Sequence, residues 1–216
     1  MTEPPKNRDL HGFVPDKSPV ALLLVDVIND LEFAGGDALL PHARRMAQRI
    51  AALKRRVAGA GIPTIYANDN FGRWRSDFKS IVQHCVEDEV RGNPVAELLR
   101  PCEDDYFVLK PKYSGFYSTS LDVLLDYLGV RVLIIAGMAT EMCVLFTAHD
   151  AFMRDYHLLV PRDCVASETP DRARQALEQM QRVLDADTTP SEELDIRRLL
   201  ARGASRGGMR GQRVSA

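Results

Sequence analysis

The chain is poor in the features that would staple it, load it with metal or anchor it. Its four cysteines, Cys85, Cys102, Cys143 and Cys164, form no C-x-x-C pair and no ligand cluster. That excludes a disulfide framework or zinc knuckle read from spacing, and it fits a reduced, intracellular setting. The five histidines, at 11, 42, 84, 149 and 157, show no metal-ligand spacing. No metal and no cofactor are therefore expected. Apolar runs stop at about six residues, as in VALLLV, too short to cross a bilayer. The first residues, MTEPPKNRDLHGF, are polar and lack the apolar core of a signal peptide, so the expected compartment is the cytoplasm. Charge of either sign is nearly balanced, at a formal net of −2. No global field then points to a nucleic-acid or membrane partner. One sign concentrates only at the C-terminal end, where Arg197, Arg198, Arg202, Arg206, Arg210 and Arg213 lie in a stretch rich in Gly and Ser. This reads as a solvated, flexible tail.

What remains is an ordinary globular composition, 45% apolar and 27% charged over 216 residues, enough for one sizeable core. The reading divides the chain into a polar arm (1–17), one domain (18–190) and the basic tail (191–216). Within the domain, apolar strands alternate with amphipathic helices. Strands are predicted at 20–25, 62–67, 106–110, 132–136 and 157–160. The clearest helix is 37–58, where Leu39, Ala43, Met46, Ile50, Leu53 and Val57 recur at three- and four-residue spacing. Asp37 is its predicted cap and Gly59 or Gly61 its stop. Further helices are expected around Ile81 and Val82, after Ser118 or Thr119 up to Gly129, over 140–155, and from Pro170 to Val183. A short sixth strand is placed after the last of these. Such alternation specifies an α/β protein: three α/β/α layers around a mainly parallel, six-stranded, Rossmann-like sheet.

Ligands of parallel sheets sit at the carboxyl ends of the strands, and three chemically capable residues fall there. Asp26 ends the first strand, Lys110 the third, and Cys143 follows the fourth at the start of its helix. Singly, an Asp there is a cap, a Lys snorkels and a Cys is core. Together they converge on one sheet edge. A cation and a helix N-terminus lower the pKa of a thiol. A carboxylate can take its proton and return it to a leaving group.

These residues lie in LLLVDVINDLEF (22–33), VLKPKYSGFYSTSLD (108–122), GMATEMCVLFTAHDAFMRDY (137–156) and LVPRDCVAS (159–167). Through these stretches the chain resembles the isochorismatase-like cysteine hydrolases, a group that includes nicotinamidases and small-amide and ureido hydrolases. The resemblance spans roughly 18–190. It implies a catalytic triad of Asp26, Lys110 and Cys143, and a non-proline cis peptide at Met138–Ala139. It also implies an oxyanion hole from the amides of Ala139 and Cys143, a thioester intermediate, and a homo-oligomer, dimer or tetramer. Two departures matter. Ile28 stands where the family often has Gln. The segment after the second strand, NDNFGRWRSDF, lacks the two His with which nicotinamidases hold a metal. Nicotinamidase activity is accordingly not expected.

Asn70, Trp74, Tyr113 and Phe116 are the candidates for binding a small-molecule substrate, with Phe33 behind them and Phe71, Arg73 and Arg75 in the same loop. The reading is an amidohydrolase cleaving the C–N bond of a small amide, ureido or carbamoyl compound. The alternatives are a vinyl ether hydrolase of the isochorismatase type, a non-catalytic binding protein on the same fold, and a thiol redox protein. The last lacks a resolving cysteine near Cys143.

Overall fold

The computed structural model describes residues 17–70 and 77–205. The elements run β1 (Val20–Val25), α1 (Gly36–Ala58), β2 (Thr64–Asp69), α2 (Phe78–Glu87), α3 (Asn93–Leu98), β3 (Tyr106–Lys110), α4 (Leu121–Leu128) and β4 (Val132–Met138). A π-turn (Thr140–Val144) leads into α5 (Leu145–Phe152), followed by β5 (His157–Leu159), β6 (Val165–Ala166), α6 (Pro170–Leu184) and α7 (Ile196–Ser205).

Every strand pairing is parallel, in the order β3-β2-β1-β4-β5, and β6 pairs with β4 beyond the end of β5. β1 is central, so all six of its residues are buried and it carries no alternation. Successive residues still point to opposite faces. Val20, Leu22 and Leu24 pack with the buried sides of α1, α2, α3 and α7. Ala21, Leu23 and Val25 pack with α4, α5 and α6. The result is the three-layer α/β/α architecture expected. Among the described residues no helix is long and apolar enough to cross a membrane.

Several boundaries differ from expectation, each for a local reason. β2 starts two residues late and runs on to Asp69, because Pro63 has no amide to give and instead accepts from Leu22 N–H. α1 is capped by Gly35, held at φ 92°, while Asp37 sits in the first turn. A Cβ on Gly137 (φ +130°) would lie 2.0 Å from the Val25 carbonyl oxygen, so only glycine lets β4 run on beside the end of β1. The single helix expected over 140–155 is instead a π-turn followed by α5. The sixth strand exists but precedes α6. Five apolar or near-apolar residues are not needed to make a strand when its partner is already in place, and two-residue β6 takes its partner from Gly137 and Met138.

The basic stretch from 191 begins in regular structure. Ser191–Glu193 is a 3-10 turn, and α7 buries Leu199 and seats Gly203 against Pro19. The arginines on its outer face conceal an apolar stripe completed by Ile196 and Leu200. The polar arm, apart from Lys17, and the last eleven residues lie outside the described residues.

Candidate active site

The three residues singled out at the strand ends meet. Lys110, fully buried at the end of β3, places Nζ 2.8 Å from Asp26 Oδ2 and 3.5 Å from Cys143 Sγ. It also donates to the Lys112 carbonyl at 3.1 Å. Asp26 directly follows β1 in the left-handed region, at φ 52°. Its Oδ1 accepts the amide of Asp69 at 2.7 Å, and its carboxylate is hydrogen-bonded to Cys143. Asp69 in turn brings Oδ2 to 3.8 Å from Lys110 Nζ. The parallel register is the cause: Val25 faces Ala67 on one side and Gly137 on the other, so β1, β2 and β4 end at one edge.

Cys143 is held by its backbone as well. Thr147 Oγ1 donates to the Cys143 carbonyl at 2.6 Å and accepts the amide of Gly115 at 3.0 Å. One hydroxyl thus ties the π-turn to the loop after β3. The peptide Met138–Ala139 is cis, as the resemblance implied. The Ala139 carbonyl takes the amides of Met142 and Val144 at 3.1 and 3.2 Å.

The electrostatics correct one expectation. Burial, reinforced by the Asp26 charge, pushes the Cys143 thiol up to about 12, and Lys110 does not reverse this. Burial also raises the Asp26 carboxyl, against the pull of Lys110 and of its hydrogen bonds. Burial would lower Lys110, but the attraction of Asp26 and of the sulfur outweighs it and keeps the ammonium charged. Burial and the Asp26 charge thus favour the protonated sulfur, against the pull of Lys110. A thiol pushed this high attacks only if its proton leaves as the sulfur moves, and Asp26 is placed to receive it.

The site opens into a cavity of about 890 Å³ with Asp26, Ala139 and Cys143 in its lining. Of the expected pocket residues, Tyr113 and the weaker candidate Phe33 line it. Phe116 does not. Its ring is buried, 6.1 Å from that of Tyr156 and beneath the Arg154 guanidinium. Asn70 is buried too, outside the cavity lining, and its backbone N–H donates to the Lys110 carbonyl at 3.1 Å, which steadies the end of β3. Trp74, with Phe71, Arg73 and Arg75, lies outside the described residues.

The opposite wall was not foreseen. Helix α6 contributes Arg172, Gln175 and Gln179, with Glu168 just before it and Glu141 from the π-turn. Arg172 Nη1 lies 2.6 Å from Glu168 Oε2 and 3.8 Å from Glu141 Oε1. Ser167 donates a hydrogen bond to Glu141. The signal that would have found this wall was β6, whose end carries Ser167 to Glu141 of the cavity. With the sixth strand placed after α6, the start of that helix had no reason to lie there.

Comparison with known proteins agrees with this fold. The family model described as Isochorismatase domain matches residues 20–192. An "Uncharacterized isochorismatase family protein" of Bacillus subtilis is 41% identical over 178 residues, 82% of this chain and 97% of that protein. A "Probable inactive nicotinamidase" of Arabidopsis thaliana is 31% identical over 168 residues, 70% of this chain and 82% of that protein. Among solved structures, N-carbamoylsarcosine amidase from Thermoplasma acidophilum matches with a TM-score of 0.63 at 26% identity, covering 82% of this chain and 98% of that one.

Proposed function

The chain belongs to the isochorismatase family of hydrolases, and on that premise we propose that it cleaves the C–N bond of a small amide, ureido or carbamoyl compound through a thioester on Cys143. The observation that carries this reading is the buried Lys110 ammonium, 2.8 Å from Asp26 and 3.5 Å from the Cys143 sulfur at the floor of the cavity. A lysine so deep is not there for solubility.

In the first half-reaction Sγ attacks the substrate carbonyl carbon as its proton passes to Asp26. The carbonyl oxygen becomes an oxyanion received by the amides of Ala139 and Cys143, and Lys110 stabilises the added negative charge nearby. The C–N bond then breaks, and Asp26 returns the proton to the departing nitrogen, releasing ammonia or an amine. In the second half-reaction Asp26 takes a proton from water, whose oxygen attacks the thioester. The C–S bond breaks, the acid leaves and the proton goes back to sulfur. Proton transfer through a positioned group of this kind is worth ~10²–10⁴ in rate. A carbamoyl or ureido substrate is supported by the likeness to a carbamoylsarcosine amidase. As part of the same reading the protein works in the cytoplasm and as a homo-oligomer; the exposed Tyr113 and Met142 of the cavity lining, with the exposed Phe146 ring 5.5 Å from that of Tyr113, support the oligomer.

The test is ammonia release from a panel of small amides, ureas and carbamoyl compounds, run beside Cys143→Ala with circular dichroism as the check on its fold. Release by the wild type alone is the expected result. Retained turnover in the folded variant overturns the thioester mechanism. Silence across the panel, with conversion of isochorismate, transfers the site to ether hydrolysis.

A further inference from the structure

A second concavity lies behind the active cavity, between α1 and α6. It is a groove of about 800 Å³ floored by Met46, Val165 and Ala166, and four arginines edge it. Arg45 and Arg49 stand four residues apart on α1, Arg162 follows β5, and Arg174 projects from α6. Two of them are neutralised. Arg49 lies 3.1 Å from Glu192 Oε2, and Arg174 is bound by Glu178 at 2.9 Å and Asp171 at 3.3 Å.

The carboxylates of the groove have hydrogen-bond partners of their own, though Asp163 keeps its charge. Asp163 accepts the amide and hydroxyl of Ser191 at 2.8 and 2.7 Å, and Glu178 holds Arg174. Arg45 and Arg162 are left with no carboxylate among the described residues. Arg45 Nη2 instead lies 2.7 Å from His42 Nδ1. A guanidinium can only donate, so Nδ1 accepts and the ring N–H is on Nε2, which gives this groove residue a donor of its own.

Exposed arginines are usually just solvated. Here two of them, neither in an ion pair among the described residues, line one concavity with His42 over an apolar floor, and the one carboxylate there that holds no arginine is Asp163. Like charges held together in a cleft raise the local concentration of anions, and guanidinium forks match carboxylate and phosphate oxygens. We propose that this groove binds a small multivalent oxyanion, a diphosphate or a polycarboxylate, through Arg45 and Arg162, with His42 as a third donor. The site is separate from catalysis but abuts it. Ser167 lines the groove, and its hydroxyl bonds Glu141 of the active cavity.

The experiment is isothermal titration of the full chain at low ionic strength with pyrophosphate in one arm and citrate in the other. It is run on the wild type, on Arg45→Gln/Arg162→Gln, and on Arg100→Gln, an exposed arginine outside the groove paired with Glu97. The expected result is saturable binding of one or both anions by the wild type and by Arg100→Gln, weakened about tenfold or more in the double variant. The arm that saturates says whether phosphoryl or carboxylate oxygens are the natural partner. Three results overturn the site: no saturable binding by the wild type, equal affinity in the double variant, or equal weakening by Arg100→Gln. Because neither substituted arginine touches the catalytic residues, a negative result leaves the proposed hydrolysis standing.

Discussion

Replacing Lys110 by Met tests whether its ion pair with Asp26 is what allows Asp26 to stay charged. The Lys110 side chain is fully buried and that of Asp26 is 8% exposed, so solvent screens the pair little. At 2.8 Å and an effective dielectric of about 20, their attraction is about 6 kcal/mol. Burying the ammonium takes part of this back, and one-sided removal of a buried partner typically costs ~3–5 kcal/mol. Methionine fills nearly the same volume, so packing contributes little to the loss.

The pH dependence of that loss is the discriminating quantity. Burial already raises the folded carboxyl of Asp26, and without Lys110 it rises further. An unfolded aspartate titrates near about 3.9. The folded variant then holds the proton more tightly than its unfolded chain does. Its stability declines as pH rises from the unfolded value through the folded one, and is level beyond it. The deficit against wild type therefore grows as pH rises through the range in which the variant's raised carboxyl ionises, and shrinks towards acid, where Asp26 is neutral in both proteins. Urea unfolding of the two proteins between about pH 4.5 and pH 8 measures it. The same variant should keep less than ~1% of kcat/KM, since a protonated Asp26 cannot accept the thiol proton. A deficit independent of pH, or one that deepens towards acid, refutes the argument.

Two further outcomes follow from the same geometry. Thr147→Val leaves the buried Gly115 amide without its acceptor and frees the Cys143 carbonyl. It should cost ~1–3 kcal/mol in urea unfolding and lower kcat more than it changes KM, whereas unchanged kcat would separate Thr147 from the nucleophile. In native protein a disulfide reagent such as DTNB should modify Cys102 rapidly, because it alone of the four thiols is exposed. Cys85 and Cys164 are buried, and burial pushes both up to about 12, as it does the half-buried Cys143. The fast phase should vanish in Cys102→Ser, and its survival would mean that another thiol is activated.

How much was legible beforehand differs from element to element. The continuous apolar run 20–25 could be read as a doubly buried strand without knowing its neighbours, because a period of zero polarity has one common cause in a parallel sheet. β3 was read to the residue. The ends of β2 and β4 were not, since strand ends are set by where a partner stops, and that partner is remote in sequence. The same holds for β6, whose two residues carry no signal alone. Misplacing it concealed the α6 wall of the cavity. The arginines of α7 dominated its composition, and the stripe of Ile196, Leu199 and Leu200 becomes meaningful only against Pro19 and β1.

By itself the sequence determined the layer architecture and the convergence of Asp26, Lys110 and Cys143 on one edge. Both follow from local patterning: strand and helix periods decide the layers, and the parallel βαβ connection decides which ends face together. Only the tertiary structure decided the state of the sulfur and the shape around it. A lysine and a helix start read from the chain promise a thiolate. The folded site, by burying Cys143 beside the Asp26 charge, pushes the thiol up instead. Charge interactions depend on distance and on exclusion of water, and neither is a property of residues taken in order along a chain.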